Sequence, residues 1–94
     1  MKVRYTATAA ADLDDILSYL ARRNPKAAAD VLASIEATVS RIAKFPNSAQ
    51  ATDEPSVRMA PAGRFPYLVF YTLTEDEVWI IRVLHGARLR PWEE

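Results

Sequence analysis

The sequence has no cysteine, one histidine and two glycines among its 94 residues. The absence of cysteine excludes a disulfide scaffold, a Cys-x-x-Cys redox motif, a cysteine nucleophile and every metal site that needs thiolate ligands. A single histidine leaves little from which to build any other metal centre. The sequence therefore predicts a protein without a bound metal or cofactor.

Net charge and long apolar runs are also missing. Twelve Lys and Arg residues balance twelve Asp and Glu residues, whereas nucleic-acid-binding domains usually carry a clear basic excess. No apolar run approaches the ~18–20 residues that cross a bilayer, and no signal-type segment follows Met1. We therefore expect a cytoplasmic protein with no membrane contact and no direct sequence-specific DNA binding.

The distribution of alanine divides the chain into two halves. A length of 94 residues predicts one domain over 1–94, because domains typically contain about 100–150 residues. Of the 16 alanines, 11 precede Phe45. Alanine is the best helix former and a weak strand former, so we expect helices first and strands afterwards.

The first half predicts a short strand followed by two helices. The strand covers Val3 to Thr6, and Thr6 or Thr8 can cap the helix after it. Asn24-Pro25 marks the start of a second helix, because asparagine is favoured at the cap and proline at the first helical position. Apolar residues at helical spacing form one stripe on each helix: Leu13, Ile16, Leu17 and Leu20 on the first, and Ala28, Val31, Leu32, Ile35, Val39, Ile42 and Phe45 on the second, which Pro46 stops.

The second half predicts strands. Pro46 to Ser56 has the composition of a surface loop, and the apolar period after it changes from 3.6 to 2. The predicted strands are Val57–Met59, Tyr67–Leu73 and Val78–Leu84, with a turn at Pro61–Gly63. The fold class is α+β, with an N-terminal strand and an antiparallel two-helix hairpin packed on a mostly antiparallel sheet in the order β-α-α-β-β-β. Neither long strand alternates cleanly, which predicts apolar cover on both sheet faces.

Arginine is concentrated on the strands and the tail. Residues 57–74 and 78–92 contain five arginines and no acidic residue: Arg58, Arg64, Arg82, Arg88 and Arg90. Such a strip is suited to an acidic partner or a nucleic-acid backbone, although scattered surface arginine is commonly only solvated charge. Alternation places Arg82 on the same strand face as Val78, Ile80 and Leu84, where simple solvation is harder to sustain.

His85 is the one candidate for proton transfer near neutral pH. It could act as a general acid or base, or it could be a packed or capping histidine at the end of a strand. Tyr67 and Tyr71 could also donate protons, but aromatic residues in such a strand are commonly core. No Ser/His/Asp order, glycine-rich phosphate loop or paired-carboxylate spacing is present.

These residues resemble the RelE/ParE superfamily of toxins, and the ParE type in particular. The resemblance covers essentially the whole chain, and its most specific part is the closing Arg-Val-Leu-His-Gly-Ala-Arg of residues 82–88. The other segments that carry it are Asp12 to Leu20, Asn24 to Ala28, Ile42 to Pro46, Val57-Arg58 and Tyr67 to Tyr71 after Pro66.

The resemblance implies the toxin of a type II toxin–antitoxin system. Toxins of the ParE type poison DNA gyrase, block replication, and are neutralised in a hetero-oligomer by a ParD-like antitoxin. For antitoxin binding we predict Arg58, Arg64, Arg82, Leu13, Leu17 and Leu20. For target binding we predict the segment Arg82 to Trp92, with Arg82, His85, Arg88, Arg90 and Trp92 as its contacts.

The resemblance leaves two alternatives open. One is a ribosome-dependent mRNA endoribonuclease of the RelE type, with His85, Arg82 and Arg64 as its catalytic residues. Against it, Leu68 and Val69 stand where such enzymes tend to place an arginine, no tyrosine follows His85, and the net charge is zero. The other alternative is a chain that only binds its partner and has lost toxicity.

Overall fold

The computed structural model describes residues 1–86. Two helices and five strands occur within this range: β1 (Lys2–Tyr5), α1 (Ala7–Arg23), α2 (Pro25–Lys44), β2 (Gln50–Ala51), β3 (Val57–Pro61), β4 (Tyr67–Leu73) and β5 (Glu77–His85). None of these helices is long and apolar enough to cross a membrane.

Capping side chains start both helices where the sequence predicts. Thr6 is the N-cap of α1, and its hydroxyl accepts a hydrogen bond from the backbone N–H of Ala9 at 3.1 Å. Asn24 ends α1 and starts α2, because its backbone N–H donates to Leu20 at 2.7 Å while its side-chain oxygen accepts from Ala27 at 3.2 Å. With Pro25 in the first turn of α2, one residue forms the link of the helical hairpin.

The strands form one sheet in the order β1-β5-β4-β3-β2. The consecutive strands β2 to β5 pair antiparallel, and β1 pairs parallel to β5. The helical hairpin is therefore the crossover that carries the chain from β1 to the rest of the sheet. The predicted α+β architecture is confirmed, with the two-residue strand β2 added inside the segment that we predicted as a loop.

The sheet has buried apolar side chains on both faces. Val69 and Tyr71 of β4 belong to the main core, which also contains Val31, Ile35 and Ile42 of α2 and Val78, Ile80 and Val83 of β5. Phe70, on the opposite face of β4, forms a second cluster with Met59 and Leu84. Because both faces of the sheet are buried, the sequences of these strands do not alternate between polar and apolar residues.

The predicted stripe of α2 is wrong at its last position. Phe45 is 61% exposed, because the helix ends at Lys44 and Phe45 is its C-cap in a non-helical conformation. Thr38 instead lies in the buried face, where its hydroxyl donates to the carbonyl oxygen of Ser34 at 2.9 Å. A hydrogen bond to the helix backbone lets this polar residue take a core position that periodicity assigns to apolar residues.

A β-bulge changes the face of Arg82. Phe70 pairs with Arg82 and Tyr71 pairs with Ile80, so Ile81 is an extra residue between the two pairs. The predicted shared face of Arg82 with Val78 and Ile80 is therefore wrong. Beyond the bulge the alternation is reversed, and Val83 is the residue that returns to the main core.

Candidate functional site

The edge of β5 changes its partner at Ile80. Up to that residue β5 pairs with β1, and beyond it the first turns of α1 take over. The backbone N–H of Thr6 donates to the carbonyl oxygen of Ile80 at 3.0 Å, and the Thr6 hydroxyl donates to that of Ile81 at 3.2 Å. The carboxylate of Asp12 accepts the backbone N–H of Val83 at 3.0 Å. The side chains of Thr6 and Asp12 thus form hydrogen bonds with backbone groups of β5 where no strand lies beside it.

Asp12 also binds Arg82 with both carboxylate oxygens. The Nε atom of Arg82 lies 2.8 Å from Oδ2, and Nη2 lies 3.1 Å from Oδ1. The side chains are 29% and 13% exposed, so water screens this bidentate pair only in part. Because Arg82 donates these hydrogen bonds to the Asp12 carboxylate, the pKa of its guanidinium is raised above its ordinary value. Arg82 therefore already has an acidic partner within the chain, supplied by α1 rather than by the strands.

A cleft of about 640 Å³ lies beside this pair. Its helical side follows the spacing i, i+3, i+4, i+7 along α1, and its other side is formed by the ends of β4 and β5. On the second side the rings of Tyr67 and His85 meet edge to face, with centroids 5.6 Å apart and an interplanar angle of 85°. The lining residues within the described range are Asp12, Asp15, Ile16, Tyr19, Tyr67, Val83, Leu84 and His85.

Arg58 forms its hydrogen bonds at a different place, in the segment that follows the C-terminal end of α2. Its Nη1 atom donates to the carbonyl oxygens of Ala49 at 2.8 Å and Asn47 at 3.3 Å. The hydroxyl of Tyr71 donates to the carbonyl oxygen of Pro46 at 2.7 Å, and burial raises the pKa of this phenol. Arg58 and Tyr71 together hold the segment that follows α2, which accounts for a tyrosine in the main core.

Arg64 lies in the turn between β3 and β4. The turn contains Gly63 at φ +60°, and a Cβ at that position would come within 2.7 Å of the Ser34 hydroxyl. The guanidinium of Arg64 stacks over the ring of Phe65 at 4.6 Å and forms no ion pair with any residue that the structure describes. This turn faces α2 near Lys26, on a surface that Arg82 does not line.

The structure thus places Arg58, Arg64 and Arg82 on three different surfaces. Of the α1 leucines predicted for antitoxin binding, Leu13 and Leu20 pack partly buried against the main core and Leu17 is half-buried. The predicted target-binding residues Arg88, Arg90 and Trp92 lie outside the described residues. No group of three or more His, Asp or Glu side chains able to hold a metal ion occurs within residues 1–86.

Sequence reasoning missed the acidic and aromatic side of the cleft. No binding role was predicted from the sequence for Asp12, Asp15 or Tyr19. The signal was present, because Asp12, Asp15, Ile16 and Tyr19 repeat at i, i+3, i+4 and i+7 on the face beside the leucine stripe. Polar residues with helical spacing are common on solvated helix faces. Only the position of β5 beside this face of α1 shows that it lines a cleft.

Comparison with known families decides the relationship. The model of the family described as "ParE toxin of type II toxin-antitoxin system, parDE" matches residues 3–90. The chain belongs to the ParE toxin family. A curated relative from Sinorhizobium fredii, described as "Putative toxin Y4kP", is 32% identical over 90 residues, which are 96% of this chain and 93% of the relative.

The fold of a ParE toxin is also found by comparison with solved structures. A chain from the structure entitled "Chromosomal ParDE TA system from P. aeruginosa" matches with a TM-score of 0.78 and 24% sequence identity. The match covers 90% of this chain and 95% of that chain. At this identity the likeness establishes the fold, and it agrees with the family assignment.

Proposed function

We propose that this ParE family member inhibits DNA gyrase in the cytoplasm, so that it blocks replication and growth, and that a ParD-like antitoxin neutralises it. The observation that carries the proposal is the family match over residues 3–90, which includes both helices, the cleft and β5. Membership in a toxin family of this type makes an antitoxin partner part of the function.

The state of Arg82 favours a binding function over RNA cleavage. In-line cleavage needs a base, a cation that stabilises the phosphorane, and an acid for the leaving oxygen. Asp12 offsets the charge of Arg82 beside the cleft, and Arg64 stacks on Phe65 in the β3–β4 turn. The contact between His85 and Tyr67 is the feature that supports an endoribonuclease as the second candidate function.

The antitoxin interface that we propose follows the exposed side of α1 and the arginines predicted from the sequence. Arg64 is the member whose guanidinium is unpaired within the described residues, so we assign it to an acidic side chain of the antitoxin. Arg58 and Arg82 support the interface by holding the segment after α2 and the start of α1. Leu13, Leu17 and Leu20 supply its apolar contacts.

The gyrase contacts that we propose are Arg82 and His85 at the end of β5, together with Arg88, Arg90 and Trp92. Alternating arginine and tryptophan is a composition common in interface hot spots. His85 lines the cleft, so the proposed target surface begins at the end of β5 that forms one side of the cleft.

A paired assay of the free protein tests this function. We expect the purified chain to inhibit DNA supercoiling by gyrase and to accumulate cleaved plasmid DNA, and we expect the ParD-like antitoxin encoded beside it to reverse both effects. Cleavage of mRNA on translating ribosomes with gyrase unaffected would establish the endoribonuclease instead. A chain that binds the antitoxin but affects neither target would be a partner protein without toxicity.

A further inference from the structure

The cleft between α1 and the end of β5 has a negative charge that nothing in the described part of the chain neutralises. The carboxylate of Asp12 is fully engaged by Arg82 and by the backbone N–H of Val83. Asp15 lines the same cleft one helical turn further on, and it has no ion pair or hydrogen-bond partner among residues 1–86. No lysine or arginine is among the described residues that line the cleft.

Aromatic rings stand beside this free carboxylate. Tyr19 follows Asp15 by four residues on the same face of α1 and is 51% exposed. Tyr67 of β4 lines the same cleft. A carboxylate and aromatic rings that line one cleft can attract a cation in two ways, by direct charge pairing and by the negative face of a ring.

The chain itself shows that these groups accept guanidinium. The guanidinium of Arg23 stacks on the ring of Tyr19 at 3.8 Å, and Arg23 is not among the residues that line the cleft. Arg82 binds Asp12 through two parallel hydrogen bonds. Because arginine combines planar stacking with bidentate pairing, it fits a site with one carboxylate and flanking tyrosines better than lysine does.

We propose that this cleft binds an arginine side chain of the antitoxin, with Asp15 as the charge partner and Tyr19 and Tyr67 as the aromatic walls. The inference rests on the proposed function and specifies the chemistry of the partner at a place where sequence reasoning expected acidic antitoxin residues. Charge complementarity selects a cation. Ile16 connects the cleft to the apolar α1 surface assigned to the antitoxin, so one extended segment can occupy both.

Isosteric removal of the charge tests the site. We expect Asp15→Asn to weaken binding of the antitoxin encoded beside this chain by about tenfold at low salt, and by less at high salt, because the lost contact is an ion pair. Asp14→Asn is the matched control, since Asp14 is exposed on the adjacent position of α1 and does not line the cleft. Isothermal titration calorimetry measures both affinities, and circular dichroism confirms that each variant is folded.

A charge exchange identifies the partner residue. We expect Asp15→Lys to abolish tight binding, and we expect one Arg→Glu substitution in the toxin-binding segment of the antitoxin to restore it at least fivefold. Equal affinities for Asp15→Asn and the wild-type chain, or no restoring substitution, would overturn the arginine site while the toxin–antitoxin pairing stands. If the wild-type chain binds no antitoxin, the proposed function fails as well.

A further measurement distinguishes binding of an antitoxin arginine in the cleft from binding of an arginine of this chain. If Asp15→Asn lowers the melting temperature of the free protein, and replacing Arg88 and Arg90 by alanine lowers it equally without additivity, the cleft binds an arginine of this chain and the proposal is overturned. We expect no change in melting temperature for Asp15→Asn, because its carboxylate has no partner within the described part of the chain.

Discussion

The two halves of β5 are held at the same sheet edge by different means. From Glu77 to Ile80 the strand pairs with the backbone of β1, and from Ile81 to Val83 it is held by the side chains of Thr6 and Asp12. Backbone pairing tolerates many sequences, whereas a side-chain contact depends on one residue type. The half that depends on side chains is also the half that borders the cleft, so the residues that stabilise it lie beside the proposed arginine site.

The largest effect is expected from Asp12→Ala, because it removes the acceptor of three hydrogen bonds in the second half at once. The substitution leaves the guanidinium of Arg82 and the backbone N–H of Val83 without their acceptor. We expect the free energy of unfolding to fall by about 3 kcal/mol, the size of a partly buried pair that loses one partner. Urea denaturation at neutral pH measures it.

Two controls show whether this loss is local to the second half. Asp14→Ala changes an exposed acidic residue on the same turn and should cost less than about 0.5 kcal/mol. In Asp12→Ala, amide hydrogen exchange should accelerate first at Val83 and remain slow in the Glu77–Ile80 ladder. Equal acceleration in both halves would mean that the edge is one cooperative unit and that the comparison is wrong.

A smaller effect is expected at the junction of the two halves. Thr6→Val keeps the shape of the side chain but removes the helix cap on Ala9 and the hydrogen bond to Ile81. We expect a loss of about 1.5 kcal/mol in the free energy of unfolding. Thr6→Ser retains the hydroxyl and should recover most of it in the same denaturation experiment. A serine variant as unstable as the valine variant would assign the effect to methyl packing.

The smallest effect is expected in the first half. Arg4 of β1 pairs with Glu77 of β5, but Arg4 is 45% exposed and backbone pairing persists without it. At neutral pH we expect Arg4→Ala to lower the free energy of unfolding by less than either substitution above, because exposed ion pairs contribute little to stability. A loss as large as that of Asp12→Ala would show that side chains govern both halves.

The pH dependence of this small effect has a defined sign. The hydrogen bond from Arg4 lowers the pKa of Glu77 below its ordinary value. A lowered folded-state pKa gives stabilisation that is complete above the ordinary pKa of an unfolded glutamate and is lost as the pH falls through the folded value. The difference in stability between the wild-type chain and Arg4→Ala should therefore disappear in acid, which denaturation at several pH values can follow.

Local signals predicted the elements well. Asn24-Pro25 placed the link between the helices, and Tyr67–Leu73 was predicted with the observed bounds. Both depend on contacts close in sequence: a cap, a proline at the first helical position, and a run of β-branched and aromatic residues. Phe45 was mispredicted because periodicity alone does not show that a helix has already ended.

The candidate site was predictable only in part. Arg82 was identified by its place on a strand face and His85 as the candidate for proton transfer near neutral pH, and both lie at or beside the cleft. Their neighbours were not identified, because Asp12 is separated from Arg82 by 70 positions and the bulge at Ile81 changes which face Arg82 occupies. Neither long-range pairing nor a one-residue insertion in a ladder leaves a pattern in a single sequence.

The sequence by itself determined the α+β order of elements, the helical hairpin, the antiparallel strands and the resemblance to a toxin family, since each follows from residues within a few positions of one another. Only the tertiary structure decided that β1 returns beside β5, that Asp12 neutralises Arg82, and that Asp15, Tyr19 and Tyr67 surround one cleft. The physical reason is that charge balance and cavities arise where distant segments pack, and the neutral composition of the chain does not show where its charges meet.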